Sequence, residues 1–382
     1  MNKKAAIIIS PNWRDYGKKY LADCLASIRR QDWTGDSKIF LIDNESTEES
    51  YAFLKKVLSE VYSDSAISLG SADIVREEKN EGFCKPNNDA MKLALAQNFD
   101  YIFLLNIDTV CEPNALSELV KMVESDEKIG AVQARLMLYP EKNRINSLGN
   151  EMHFLGFGYC KGYGDEWANS KNSVSGWSSL EGESLAAPTD RKKSDVFFYP
   201  SGAAVFYKAE ALREVGLYDE EFWMYGEDLD LGWRFWLAGW RSVLAPAAVV
   251  YHKYEFSRSI RQIYWMNRNR LLAILKNYHA LTLLLFFPAI LLMEIFLLIV
   301  SVPNGWWRDA GRLYSYFLRP RTWRYLRNSR REVQKKRKIK ESEIIPLIIG
   351  EVKYQEINSS LQTVGNFFFN LYWQLIKRLI IW

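Results

Sequence analysis

From residue 5 to residue 135 a short apolar run, a polar turn and an amphipathic segment recur in one order, the pattern of parallel strands joined by crossover helices. Residues 5–9 predict a first strand and 16–30 a helix; 38–42 predict a second strand, closed by Asp43-Asn44-Glu45-Ser46, with a helix over 48–59. A short strand at 73–75 follows, then a helix with Pro86 in its first turn. Residues 101–105 form the next strand and deliver Asn106-Ile107-Asp108. Ligands of open parallel sheets lie beyond the carboxyl ends of the strands, so Asp43 and Asp108 are expected at one crevice.

Residues 136–195 lose this period and turn rich in Gly, Ser, Asn and Trp, including Gly156-Phe157-Gly158 and Gly162-Tyr163-Gly164. An irregular stretch of that length reads as a substrate loop rather than core. Order returns at 196–199, 203–207, a short helix over 209–215, a helix starting at Glu227 and a strand near 248–251.

The net charge of +4 conceals an asymmetry, because residues 303–340 carry thirteen Lys/Arg against Asp309 and Glu332 and leave the remainder acidic. That basic segment follows the main apolar run, 281–302, which is interrupted by Pro288 and Glu294. At about 1.5 Å per residue the run is long enough to cross a bilayer. A single crossing, however, would separate the acidic body from the basic segment, against the tendency of Lys and Arg to stay cytoplasmic. A monotopic arrangement on an anionic cytoplasmic leaflet is therefore expected, with residues 367–382 as a further interfacial helix. The apolar and aromatic flanks favour lipid over nucleic acid as the partner of the basic run. Cys24, Cys84, Cys111 and Cys160 show no paired spacing, and only five apolar residues precede Ser10-Pro11-Asn12. Both observations fit a reducing cytosol and no secretory leader.

Two carboxylate clusters lie about 120 residues apart. The first, Leu104-Leu105-Asn106-Ile107-Asp108-Thr109, closes a strand; the second, Phe222-Trp223-Met224-Tyr225-Gly226-Glu227-Asp228-Leu229-Asp230, opens a helix. A strand-end carboxylate suits a hard cation that takes oxygen ligands, Mg2+ or Mn2+, and Asp108 is placed for it. A carboxylate at a helix start can act as a general base, a role open to Asp228 and Glu227. Each also has an ordinary structural reading, as a helix cap or an N-terminal charge pair.

In order along the chain, these blocks resemble the inverting glycosyltransferase family 2, particularly its rhamnosyltransferase-like bacterial members. The matching stretches are Leu41-Ile42-Asp43-Asn44-Glu45-Ser46-Thr47, Asn80-Glu81-Gly82-Phe83 with Asn87-Asn88, the Asp108 cluster, Ser201-Gly202-Ala203-Ala204, Val215-Gly216-Leu217-Tyr218-Asp219-Glu220 running into the Asp228 cluster and on to Arg234, and His252 with Ser257. Over roughly residues 5–270 the resemblance implies a GT-A fold, an α/β class with a Rossmann-like mixed sheet, with a nucleotide-sugar-binding half at 1–135 and an acceptor-binding and catalytic half at 136–278. The apolar run and basic charge add the expectation of a C-terminal membrane-associated helical region at 279–382.

By the same resemblance Asp228 is the base, with Glu227 and Asp230 assisting. Pro11, Asp43, Asn80, Gly82, Phe83, Asn88, Asn106 and Asp108 bind the donor, and Asp108 with His252 holds the metal. Ser201, Gly202, Trp223, Tyr225, Arg234 and Arg268 meet acceptor or phosphate. The expected partners are a dTDP- or UDP-linked sugar, rhamnose first, and a lipid-linked glycan of a cell-surface polysaccharide.

The chain departs from the family pattern in Asn106, where many relatives carry Asp, and in Phe83-Cys84-Lys85-Pro86, where small residues are commoner and Lys85 could reach a phosphate. A nucleotidyltransferase, the alternative enzyme, would need a glycine-rich loop after the first strand, and Ser10-Pro11-Asn12-Trp13-Arg14 has no glycine. A non-catalytic scaffold would have no use for Asp108, Asp228 and His252 together.

Overall fold

The computed structural model describes residues 3–62, 72–168, 196–253, 262–351 and 360–382; Ser257 of the family pattern lies outside them. The strands are β1 (Lys4–Asn12), β2 (Asp36–Asn44), β3 (Ala72–Glu77), β4 (Tyr101–Leu105), β5 (Thr109–Cys111), β6 (Ile129–Leu138), β7 (Ile145–Ser147), β8 (Asn150–His153), β9 (Gly158–Cys160), β10 (Ala204–Lys208), β11 (Arg241–His252) and β12 (Ile348–Ile349). The helices are α1 (Tyr16–Arg29), α2 (Glu48–Tyr62), α3 (Cys84–Ala96), α4 (Ala115–Glu124), α5 (Ala209–Val215), α6 (Glu227–Leu237), α7 (Ile263–Asn277), α8 (Ala280–Ser301), α9 (Trp307–Phe317), α10 (Pro320–Lys336), α11 (Glu341–Ile344) and α12 (Ser360–Ile376).

The main sheet runs β3-β2-β1-β4-β10-β6-β11-β5, with β7 on β6, and a small sheet runs β12-β8-β9. β1, β2, β3 and β4 are mutually parallel, and β10 is antiparallel to both β4 and β6. β6 and β11 pair parallel. The carboxyl ends of β1, β2, β4, β6 and β11 consequently share one edge. Alternate residues of the central strands feed two cores: Ile7, Ile9, Leu41, Phe103 and Leu105 face α1, α2 and α4, whereas Ile8, Phe40, Ile42, Ile102 and Leu104 face the core that α3, α6 and α7 share with the C-terminal helices.

Between β4 and β5 lie three strands but only Asn106, Ile107 and Asp108. Four residue steps of at most about 3.6 Å cannot bridge four flat strand spacings of about 4.8 Å, so the sheet has to curl. β11 bends to allow it, at the register break between Ala245 and Val249. The Asp108 cluster is the strap across this curl.

Residues 145–160, expected as open loop, instead form β7, β8 and β9. Strands of only three or four residues are too short to show an alternating signature, which is why the period could not reveal them. Gly156, at φ 85°, turns the β8–β9 hairpin against α7, where a Cβ would stand 2.6 Å from Ile274 and 2.9 Å from Arg270.

The C-terminal helices are part of this body. At the end of α7 the carbonyls left without intrahelical donors are capped by α10: Arg330 donates to Leu275 O and Tyr278 O, Gln334 to Lys276 O and Asn277 O, and Arg337 to Asn277 O. Trp373 of α12 stacks on Phe154 at 5.4 Å, and Trp382 donates to Thr282. Part of the basic segment therefore faces inward; Arg308, Arg312, Arg319, Arg321, Arg324, Arg327 and Arg331 stay exposed.

α8 is the one helix among the described residues long and apolar enough to span a bilayer. It buries a single stripe along its whole length, Thr282, Phe286, Ala289, Met293 and Ser301, and leaves Leu284, Phe287, Leu292 and Ile299 more than half exposed. Glu294 points into the protein, paired with Arg270 and accepting from Tyr314. Both ends of α8 therefore pack on the same body.

Under α6 lies a buried charge cluster. Lys276 contacts Asp219 at 2.6 Å and Asp230 at 2.8 Å, Arg234 reaches Asp230 at 2.8 Å, and Asn277 donates to Asp230. Lys276→Met removes the buried cation shared by Asp219 and Asp230 and leaves them to Tyr325 and to Arg234 with Asn277. The expected loss is about 3–5 kcal/mol in denaturant unfolding, against a much smaller loss for Lys38→Met at the partly exposed Lys38–Asp73 pair.

Candidate active site

The rim at the strand ends is built by backbone turns. Asn44, closing β2, donates from Nδ2 to Asn80 Oδ1 and Gly82 O and accepts at Oδ1 from Glu81 N–H, so it moulds the Asn80–Phe83 turn. Gly82 is left-handed at φ 78°, and a Cβ there would meet Trp223 O at 2.5 Å. That approach is used: Trp223 O accepts the N–H groups of Phe83 (2.7 Å) and Cys84 (3.0 Å), joining the β3–α3 turn to the segment before α6.

The segment before α6 is strained. Trp223, Tyr225 and Gly226 all have positive φ, 63°, 65° and 80°, a conformation that costs a non-glycine residue about 1–3 kcal/mol. Two neighbouring residues of α7 hold it there. Asn269, fully buried, places Nδ2 within hydrogen-bond distance of the carbonyls of Phe222 (2.9 Å), Met224 (2.8 Å) and Tyr225 (2.6 Å). Arg268 donates to Glu221 O and Phe222 O.

On this support α6 begins with Glu227 and Asp228. Asp228 accepts from Leu229 N–H (2.8 Å) and Gly202 N–H (3.4 Å). Burial pushes its carboxyl up to about 6, only partly offset by those N–H groups. Glu227 is raised as well, by burial and then by the adjacent Asp228. Ser201 and Gly202 form the turn into β10, where Ser201 N–H is held by Gln133 at 2.7 Å.

From Gly202 the rim continues to the first cluster, since Asn106 N–H donates to Ala203 O at 2.9 Å. The two clusters thus meet along one backbone path, Asp228 to Gly202 to Ala203 to Asn106, with Asp108 two residues on. Asp108 is fixed on several sides: Tyr16 OH donates to Oδ2 at 2.6 Å, His252 Nε2 lies 3.3 Å from Oδ1, and Lys253 N–H donates to its carbonyl. Burial works to raise its carboxyl, but His252 and Tyr16 outweigh it and hold the group below the usual range.

His252 Nδ1 is 3.0 Å from Asn146 Oδ1. When Nδ1–H donates to that oxygen, Nε2 facing the Asp108 carboxylate is satisfied either by a second ring proton or by a bound cation. Asn106 Oδ1, also buried, has no hydrogen-bond partner among the described residues. A carboxylate, an imidazole and a free amide oxygen fit Mn2+ or Mg2+ as a partial ligand set. No group of three His, Cys, Asp or Glu that could hold a metal ion gathers among the described residues.

Several expected site residues are engaged by neighbours in the fold. Asp43, fully buried, accepts from Ser46 and pairs with Arg76 at 3.3 Å. Asn88 is buried in a reciprocal pair with the Tyr218 backbone, 2.9 Å and 3.0 Å. Asp230 and Arg234 are enclosed in the cluster around Lys276, Arg234 also donating to Leu217 O. Lys85 is held by Glu77 and Asp89. Pro11 lies in β1 beside β2. Phe83 lies against Gly202, and Trp223 stacks on Trp265 at 4.6 Å. Tyr16, Asn146 and Asn269 fall in no motif and Asn44, though inside one, was given no role, because their partners lie dozens of residues away.

A curled mixed sheet with these turns on its carboxyl rim is the GT-A glycosyltransferase fold. The chain matches the family model described as glycosyl transferase family 2 over residues 7–213, more than half its length, and one described as glycosyl transferase family group 2 over 169–320. The chain belongs to glycosyl transferase family 2. Two curated relatives, each an N-acetylglucosaminyl-diphospho-decaprenol L-rhamnosyltransferase of Mycobacterium tuberculosis (strains CDC 1551 / Oshkosh and ATCC 25618 / H37Rv), are 26% identical over 159 residues, 40% of this chain and 47% of theirs. The chain spans about half the length of these relatives. A crystal structure of GalNAc-T7 with UDP, GalNAc and Mn2+ shares the fold at TM-score 0.51 and 15% identity, over 72% of this chain and 48% of that one.

Raising the folded pKa of Asp228 means that its proton stabilises the native state, so stability falls as pH rises from the ordinary carboxylate range through about 6. Asp228→Asn removes that charge. Its melting temperature is expected to exceed that of the wild type at pH 7.5 and to converge with it at pH 4.5, read by calorimetry at both values. Asn269→Leu, which keeps volume but loses three carbonyl contacts, is expected to lower turnover by at least tenfold while circular dichroism stays native.

Proposed function

We propose that this protein is an inverting, metal-dependent glycosyltransferase that moves a sugar from a nucleotide diphosphate to a hydroxyl of a lipid-linked glycan at the cytoplasmic membrane face. The observation that carries the reading is Asp228, a rim carboxylate pushed up to about 6 and tied through Gly202, Ala203 and Asn106 to Asp108.

In the proposed reaction the acceptor oxygen attacks the anomeric carbon, its proton passes to the Asp228 carboxylate, and the carbon–oxygen bond to the diphosphate breaks with its electron pair leaving on the diphosphate. A base near 6 is ionised at neutral pH yet still basic enough to take a hydroxyl proton in the transition state. Asp108 and His252, with Asn106 beside them, would hold Mg2+ or Mn2+. A cation bound there would offset the charge that builds on the leaving diphosphate. Glu227, raised chiefly by burial, stands beside Asp228 at the start of α6, and the strained turn held by Asn269 fixes the direction of the base.

The names of the curated relatives support rhamnose as the first donor sugar to test and a prenyl-diphosphate-linked acceptor. Membrane association rests on the exposed face of α8, continued by Phe367, Phe368, Leu371 and Leu375 of α12, with Trp307, Trp323 and the exposed arginines of α9 and α10 beside it. Because α10 and α12 complete the core, the anchoring test is substitution and not truncation.

With dTDP-rhamnose and a GlcNAc-diphospho-lipid, kcat/KM is expected to fall about tenfold per pH unit below about 6. Asp228→Asn should lose at least a thousandfold in kcat while binding nucleotide as the wild type does, and EDTA should abolish turnover reversibly. Turnover by Asp228→Asn at the wild-type rate refutes the base assignment. Leu284→Ser, Phe287→Ser and Leu292→Ser together should move the folded protein from vesicle pellets to the supernatant.

A further inference from the structure

Arg312 stands exposed on α9, and among the described residues it has neither a carboxylate nor a hydrogen-bond partner. Two rings hold it instead, with its guanidinium 3.8 Å from the centroid of Tyr264 and 5.5 Å from that of Trp265. Trp265 in turn stacks on Trp223, five residues before Asp228, and lies one helical turn from Asn269, which fixes the Tyr225 carbonyl. One turn further along α9, Tyr316 OH donates to Glu221 at the start of the same strained segment. On its other flank α9 packs on α8, where Tyr314 OH donates to the backbone carbonyl of Glu294 at 3.0 Å. The cation therefore sits at the seam between the turn that carries the candidate base and the helix with the exposed apolar face.

A guanidinium stacked on aromatic rings loses its freedom to swing away, yet keeps the N–H groups along its edge for a bidentate acceptor. Asp108 and His252 lie at the opposite end of the rim path, so this position is separate from the one assigned to the donor diphosphate. A ligand bridging the two surfaces of the seam needs an apolar tail on α8, a doubly charged group at Arg312 and a hydroxyl near Asp228. Arg308, one turn earlier on α9 and also exposed, adds a second positive charge on this face.

We propose that Arg312, stacked on Tyr264 and Trp265, binds the diphosphate of a prenyl-diphosphate-linked acceptor and so registers the acceptor hydroxyl against Asp228. This rests on the glycosyl-transfer reading above and names the group that recognises its acceptor.

The test uses the full chain in detergent, with geranylgeranyl diphosphate and geranylgeraniol as probes and tryptophan fluorescence as the readout. Wild type is expected to bind the diphosphate at least tenfold more tightly than the alcohol. Arg312→Gln should bring the two affinities together, with Arg312→Lys in between, while nucleotide diphosphate binding, which also reports folding, stays at the wild-type value. Undiminished diphosphate affinity in Arg312→Gln overturns the proposal, and so does a wild type that does not distinguish the two probes.

A contact with phospholipid headgroups is the competing source of the same chemistry. If Arg312→Gln loses partitioning into mixed zwitterionic and anionic phospholipid vesicles to the same degree as it loses the prenyl diphosphate, the acceptor assignment falls. Hydrolysis of the nucleotide-sugar by wild type without any lipid tests the underlying reading separately, so the two failures are distinguishable.

Discussion

The carbonyl of Trp223 receives two backbone N–H groups, from Phe83 and Cys84, and this close contact is what lets the parallel part of the sheet and the start of α6 share one rim. It requires a glycine at 82, because any side chain would strike the same carbonyl. It also requires left-handed backbone at Trp223 and Tyr225, whose cost is met by Asn269 and Arg268 from α7. Strain at such a place persists only when the surroundings over-determine it, and here the last helix before the apolar segment supplies the restraint.

That dependence ties the C-terminal helices to the rim. α10 caps the carbonyl end of α7, Tyr325 and Lys276 hold Asp219, and Asp219 caps the turn at Glu221. Lys276 and Arg234 balance the charge of Asp230 two residues from Asp228, so the buried cluster supports the start of α6 without facing solvent. The apolar helix α8 is clamped to the same body by Glu294 and Arg270. An exposed apolar face on one side and a restrained turn on the other are thus parts of a single packed unit.

Much of the fold was legible because the chain states it locally. Alternation of apolar runs with amphipathic segments marked β1, β2 and β4 and the helices α1 and α2; β4 keeps its expected bounds, and the ends of the others move by only a few residues. The helix at Glu227 and the short helix Ala209–Val215 were equally plain. β7 to β9 were not, because a strand of three or four residues carries no period to read. Among the expected site residues, Asp108 and Asp228 were singled out by their places after a strand and before a helix, and His252 by its place in the family pattern. Asp43, Asn88, Asp230 and Arg234 fit the same motifs but are taken up by Arg76, Tyr218 and Lys276.

The sequence by itself determined the α/β architecture, the two carboxylate clusters and the apolar and basic character of the C-terminal third, since periodicity, turn chemistry and charge are properties of neighbours along the chain. Only the tertiary structure decided that the sheet curls, that Asp108 and Asp228 meet along one rim, that α8 shows a single face, and which polar groups are already spent on partners. Those outcomes depend on hydrogen bonds and ion pairs between residues far apart in sequence, and a buried polar group shows whether it is satisfied only when its distant neighbour is in place.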